Sequence, residues 1–167
     1  TLLATFEVNS TGGGFDFDGI VTNSVLQYNL SRDNDGAGIL VCPYSEECRS
    51  EGNVIRYNVS VNDGRAHGYS GIHVYAGGPV KDVDVYHNTV VVGAAPKTPP
   101  RAVYVSSAKL VTGLRFRNNV FVTEGGVAHV EVEGEEPPAG SILFQGNAWW
   151  GEGKPLSIKW GPKSIET

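Results

Sequence analysis

Two aspartates in Phe15-Asp16-Phe17-Asp18 are the first groups in this chain whose spacing could do chemistry. On an extended strand the alternation turns both carboxyls to one face, about 6.5–7 Å apart, near the lower bound for the acid and base of an inverting glycosidase. The turn Asp33-Asn34-Asp35-Gly36 brings oxygen ligands close together, so Asp33 and Asp35 could start a calcium site, although the downstream bidentate Glu of a full EF-hand loop is missing. Cys42 and Cys48 bracket Pro43-Tyr44-Ser45-Glu46-Glu47. Cysteines this near in a loop can close a small disulfide or stand as free thiols, and two thiolates alone make a poor zinc site. The longest polar connection runs from Asp63 through Arg65, His67 and Tyr69 to Ser70, and leads directly into Gly71-Ile72-His73-Val74-Tyr75.

The elements that carry these groups repeat. An apolar residue stands three positions before an asparagine, with a mostly β-branched run after it, at Leu26…Asn29, Ile55…Asn58, Val85…Asn88, Phe116…Asn119 and Phe144…Asn147, with a weaker copy at Phe6…Asn9. From Asn9 onward the asparagines lie 20, 29, 30, 31 and 28 residues apart, a period that marks a solenoid or array. Val, Ile, Phe and Tyr flank each copy as strands, and Asn tolerates left-handed backbone angles at a tight corner. Stacked coils would pile the amides in a column, each donating to and accepting from its neighbours. A second family of strands follows the asparagine copies, at Phe15–Asp18, Gly38–Val41, Gly71–Tyr75, Ala102–Val105, Ala128–Glu131 and Leu156–Trp160. Each coil then holds about three short strands, and six coils at roughly 4.8 Å each make a rod on the order of 30 Å long.

Alternation assigns the faces. Leu26, Ile55, Val85, Phe116 and Phe144 stack inside, as do Leu30, Val59, Thr89, Val120 and Ala148, one position after each asparagine. Ser31, Ser60, Val90, Phe121 and Trp149 then point outward, and the exposed aromatic end of that strip calls for a cover, a packing partner over Phe121 and Trp149. Outward positions of the second strand family give one column of Asp16, Gly38, His73, Tyr104, His129 and Ser157. The next column is Asp18, Leu40, Tyr75, Ser106, Glu131 and Lys159, with a register slip of one residue allowed at Leu40 and His129. Tyrosines for ring stacking and charges for hydroxyl or uronate groups suit a polymer of sugars. Asp16, Asp18, Tyr69, Tyr75, Tyr104, His129 and Glu131 are therefore expected to bind it.

Composition sets the outer bounds. The chain of 167 residues is one domain by default, with 22 glycines for its many turns and a net charge of −5 that argues against a nucleic-acid or anionic-membrane partner. No apolar run nears the roughly 18 residues of a membrane span, and no signal peptide is present. The chain has no Met and begins inside a coil, which is expected of a piece, the C-terminal portion, of a longer protein. A secreted or periplasmic setting fits a Cys42–Cys48 disulfide.

Asn53-Val54-Ile55-Arg56-Tyr57-Asn58-Val59-Ser60-Val61-Asn62-Asp63-Gly64, the stretch Gly71 to Val91, and Leu114-Arg115-Phe116-Arg117-Asn118-Asn119-Val120-Phe121-Val122 resemble the repeats of right-handed parallel β-helix proteins, the pectate-lyase-like superfamily. The resemblance covers nearly the whole chain and implies an all-β, right-handed parallel β-helix of about six coils with an asparagine ladder. The superfamily includes polysaccharide lyases, glycoside hydrolases, epimerases and binding proteins, with substrate in a groove on the first sheet. Carried over, this makes the His67–His73 region the floor and wall of the groove. His67 or His73 becomes the acid/base, Asp63 stands beside them, and Arg65 neutralises a substrate carboxylate or assists proton abstraction. The hydrolase series Asn-Thr-Asp, Asp-Asp, Gly-His-Gly and Arg-Ile-Lys is not reproduced beyond Ala66-His67-Gly68, and the epimerase Asp-Pro-His-Asp is absent. Expected function is binding and cleavage of an acidic polysaccharide, lyase-like or glycosidase-like; the alternative is a non-catalytic glycan-binding or structural β-helix module, such as a tailspike or adhesin segment.

Overall fold

β-Branched and aromatic runs too short for helices, punctuated by turn residues, wind into a β-solenoid of about five turns in a computed structural model that describes residues 12–166. The weak Phe6…Asn9 copy lies outside the described residues. Three sheets run the length of the coil. The first holds Phe15–Asp18, Ile39–Cys42, Ile72–Val74, Arg101–Val105, Ala128–Val132 and Ser157–Trp160 in parallel, closed by Lys163–Glu166 antiparallel to the last. In the second, the split strands Ile20–Thr22 with Val25–Gln27 and Arg49–Glu51 with Val54–Arg56 give way to the continuous Val80–Tyr86, Val111–Arg117 and the shorter Ile142–Gln145. The third holds Leu30–Arg32, Val59–Val61, Thr89–Val92, Val120–Thr123 and Ala148–Trp150. A single turn of 3-10 helix, Ala108–Leu110, is the only helical element among the described residues.

The repeated asparagines sit inside the corner between the second and third sheets. Asn29, Asn58, Asn88 and Asn119 each donate through Nδ2 to the Oδ1 of the next, down to Asn147, at 3.0 Å in every step. The same Oδ1 atoms also accept from the backbone N–H of the preceding asparagine, and Nδ2 of Asn58, Asn88, Asn119 and Asn147 donates to a backbone carbonyl of the coil before. The left-handed angle belongs to the residue before the asparagine, not to the asparagine as the sequence suggested. It is found at Tyr28, Tyr57, His87 and Asn118, with φ of 59, 55, 54 and 52°, and at Gly146.

That corner reverses one expectation. Because the amide points inward, the residue after it points outward and the next points inward again. Ser31, Ser60, Val90 and Phe121 are buried, whereas Leu30, Val59, Val120 and Ala148 are exposed. Phe121 needs no external cover: it lies wholly inside, stacked on half-buried Trp149 at 4.6 Å. The interior is otherwise as alternation reads it, with Phe17, Ile39, Val41, Ile55, Ile72, Val74, Val85, Val103, Val105, Phe116 and Val130 in one core.

Candidate functional site

The first sheet's register differs from the sequence alignment by two residues at three coils. Pairing sets Asp16 against Leu40, Leu40 against His73, His73 against Tyr104, Tyr104 against Glu131 and Glu131 against Lys159. A slip of one residue would have turned the strand's other face outward, so only an even slip keeps the core intact. Gly38, Ser157 and His129 thereby leave the outer column. His129 is 2% exposed and belongs to the interior: its Nδ1 accepts from Ser157 N–H at 3.3 Å, which puts the proton on Nε2, within 3.2 Å of Trp150 O and Thr123 Oγ1. Burial pushes its pKa down, against the bond to Trp150.

A groove of about 320 Å³ lies at the open end of the last coil; a larger one, about 590 Å³, lies over the first sheet. Leu40, Cys42, His73, Tyr75, Tyr104 and Ser106 floor it, and the His67–Tyr69 turn, Arg101 and Glu133 wall it. A smaller hollow of about 200 Å³, with Asp16 and Phe15, adjoins it and shares Leu40 and Tyr69 in its lining. The turn is fixed by Tyr69 N–H to Ala66 O and by Gly68 N–H to Thr98 Oγ1 of the proline-rich insertion, whose Lys97 also reaches Asp35 at 2.8 Å.

His73 sits at the middle of this floor, 7% exposed, with Tyr69 at 5.1 Å and Tyr104 at 4.7 Å between ring centroids. Burial, with the nearby Arg101 charge, pushes its pKa down to about 4, so the ring is neutral at physiological pH. Its Nδ1 is sealed from solvent with no hydrogen-bond partner. An unpaired lone pair is cheaper than an unpaired N–H, so the proton rests on Nε2, the nitrogen left to face the groove.

Arg101, which sequence reasoning missed, supplies the groove's fixed cation. It donates to Glu131 at 2.6 Å and to Gly68 O at 3.0 Å, and its guanidinium lies 4.7 Å from the Tyr104 ring centre. Burial works to raise the Glu131 carboxyl, but bonds from Lys159 and Arg101 outweigh it and hold the carboxyl low. Tyr104 donates to Glu133, and burial together with that carboxylate pushes the phenol above its usual pKa. Arg101 and Tyr104 share a side only because both Ala102 and Val103 turn inward between them, a break in alternation that no residue pattern announced.

The proposed acid pair is on the outer face as expected. Asp16 is open to solvent on one side, yet burial against the groove wall, and secondarily Asp18, push its pKa up to about 7. Solvent at the open side screens part of this, which leaves Asp16 a carboxyl with a proton still to give in the mildly acidic range. Cys42 lies beside the pair; burial and the two carboxylates raise its thiol to about 12, so it stays protonated.

Other sequence candidates are placed away from the groove. Asp63 is 1% exposed, inside the corner, bonded by Ser60 Oγ at 2.7 Å and by Asn34 N–H and Nδ2, and burial raises its pKa in spite of these bonds. It braces the coil and cannot touch a ligand in the groove. Arg65 faces Asp33 at 3.6 Å and does not line the groove, while His67 does. Asp33 is bonded to Asn62 and Arg32, and Asp35 to Lys97, so both carboxylates are already committed to protein donors. Among the described residues no group of three or more His, Cys, Asp or Glu is arranged to hold a metal ion. Cys42 and Cys48 are free thiols: Cys42 faces the groove, whereas Cys48 is buried under its loop with Ser45 Oγ at 3.3 Å.

Compared with known proteins, the chain matches no family model, no curated protein and no solved structure.

Proposed function

We propose that this chain is a right-handed β-helix of the pectate-lyase-like kind, acting outside the cytoplasm, that binds a polysaccharide along its first sheet and cleaves it by hydrolysis. The observation that carries the reading is the groove over that sheet, with three tyrosines and a neutral buried histidine, and the adjoining hollow that holds a carboxyl of raised pKa. Tyr69, Tyr75 and Tyr104 offer flat apolar surface to sugar rings. His73 Nε2–H donates to a sugar oxygen, and Arg101, whose guanidinium is only partly used by Glu131 and Gly68, meets a uronate or hydroxyl.

Cleavage is assigned to the Asp16 end. Protonated Asp16 gives its proton to the glycosidic oxygen as the C–O bond breaks. Asp18 takes a proton from the water that attacks the anomeric carbon from the opposite face, about 6.5–7 Å away by strand geometry. The bond count closes with one water consumed and one new reducing end.

The test is incubation with a panel of neutral and uronate-containing polysaccharides. New reducing ends without ultraviolet-absorbing unsaturated ends are expected, with Asp16→Asn lowering kcat at least about 100-fold. Unsaturated ends would instead mark β-elimination. Binding without any cleavage would favour the non-catalytic module, a reading supported by the way Glu131 and Glu133 are spent on Arg101, Lys159 and Tyr104.

A further inference from the structure

The charged groups on the outer face of the first sheet change sign along the solenoid. Asp16 and Asp18 stand on the first rung, and the second and third, with Leu40, Cys42, His73 and Tyr75, carry neutral side chains. Arg101 opens the fourth strand, Glu131 and Glu133 belong to the fifth and Lys159 to the sixth. Among the described residues Arg101 is the only Arg or Lys that lines the groove. Its charge is already matched, because Glu131 lies 2.6 Å away and the two side chains are only 21 and 15% exposed. Its Nε is bonded to Glu131 and its Nη1 to Gly68 O, which leaves Nη2 for a ligand. At the facing wall Glu133 accepts from Tyr104 and forms no ion pair among the described residues. The groove therefore holds a neutral middle, one compensated cation and carboxyls toward both ends.

Resting on the glycan-binding reading above, we infer that the groove takes an uncharged polysaccharide, one whose repeating sugar bears neither carboxylate nor ammonium. A polymer lying across the rungs presents each sugar to a different one. A uronate that reached Arg101 would share it with Glu131, and its neighbours along the same polymer would meet Glu133 or the carboxyls of Asp16 and Asp18. A polymer of amino sugars would suit Glu133 but set an ammonium against Arg101 or Lys159. Like charges brought together in this way exclude a ligand more effectively than one good pair recruits it. Hydroxyl groups meet no such conflict, since each both donates and accepts. They accept from His73 Nε2–H and Arg101 Nη2, and donate to Glu133 and Asp18.

Isothermal titration calorimetry with matched oligosaccharides tests this on the full chain at neutral pH and about 0.15 M salt. Native protein is compared with Asp16→Asn, in which cleavage cannot blur the binding heats. The probes are pairs that share a backbone and differ in charge: oligogalacturonate and its methyl ester, oligoglucuronate and its carboxyl-reduced form, and oligoglucosamine and its N-acetylated form. The uncharged member of at least one pair is expected to bind at least about tenfold tighter than its charged counterpart. Added salt should narrow a uronate pair's gap by screening the repulsion. Glu133→Gln, which keeps an acceptor for Tyr104, should narrow that gap several-fold. Lys159→Gln, which removes a cation, should widen it. Tighter binding of the uronate or the amine form overturns the inference while leaving the glycan-binding reading in place. A gap that ignores both Glu133→Gln and Lys159→Gln overturns it too, because charge would not be its cause. If no oligosaccharide binds, charged or uncharged, the glycan-binding reading falls and the inference falls with it.

Discussion

His73 shows what burial alone does to a titrating group. Its pKa is about 4 in the folded chain against 6.5 unfolded, so between these values the unfolded state binds the extra proton. Stability from this residue is fully present above about 6.5 and is lost as pH falls toward 4, on the order of 3 kcal/mol in all. Urea midpoints at pH 7.5 and pH 4.5 should differ less in His73→Phe than in the native chain, because the variant has no proton to take up. Equal differences in the two proteins would show that the ring is solvated. Asp16 works in the opposite direction. As a general acid it must be protonated, so kcat/KM should fall as pH rises toward and through 7, and a rate that climbs across that range would remove it from the role. The two residues also mark what could be read early. Asp16 and Asp18 stood out because alternation with Phe15 and Phe17 fixes their face locally. Arg101 did not, because the inward turn of both Ala102 and Val103 is a property of the corner they form.

At the scale of the strand and its corner, the asparagine file is the strongest local constraint. Asn88 donates to Asn119 Oδ1, Ile55 O and Tyr86 O and accepts from Asn58 N–H and Nδ2. Asn88→Ala leaves several buried polar groups unpaired and should cost about 2–4 kcal/mol in chemical denaturation. Asn62→Gly, which removes an exposed bond to Asp33 at a position whose left-handed angle (φ 55°) glycine adopts freely, should stay within about 0.5 kcal/mol. Comparable losses in the two would mean that position in the coil, not burial of the amide, sets the cost. Gly38 tests the neighbouring corner, since an added Cβ would sit 2.1 Å from Ser60 Oγ and 2.6 Å from Asp63 Oδ2. The repeated amide was legible because a buried Asn needs a partner in every coil. The facing of Leu30, Val59 and Val120 was not, because the left-handed residue before each amide resets the alternation that sequence patterns assume.

Over the whole molecule, each coil is held mainly by the coils on either side, so stability should grade along the axis rather than stand or fall as one. The middle coils have paired strands on both sides in all three sheets, through Val80–Tyr86, Thr89–Val92 and Arg101–Val105. The last coil is weaker. Trp149, Trp160 and Phe144 line an almost wholly apolar cavity of about 320 Å³ with Val130, Ile158 and Ile165, and only the first sheet is closed there, by the antiparallel strand Lys163–Glu166. Apolar side chains around such an open end lack packing partners on their outer side. Amide hydrogen exchange should therefore be fastest in Lys163–Glu166 and Ser157–Trp160, slower in Ala148–Trp150, and slowest in Val83 to Val92 and Leu114 to Val122. Ile165→Ala, which enlarges the cavity, should speed exchange in the last coil several-fold while leaving the middle coils unchanged. Uniform acceleration along the chain would instead mean that the solenoid opens as a single cooperative unit.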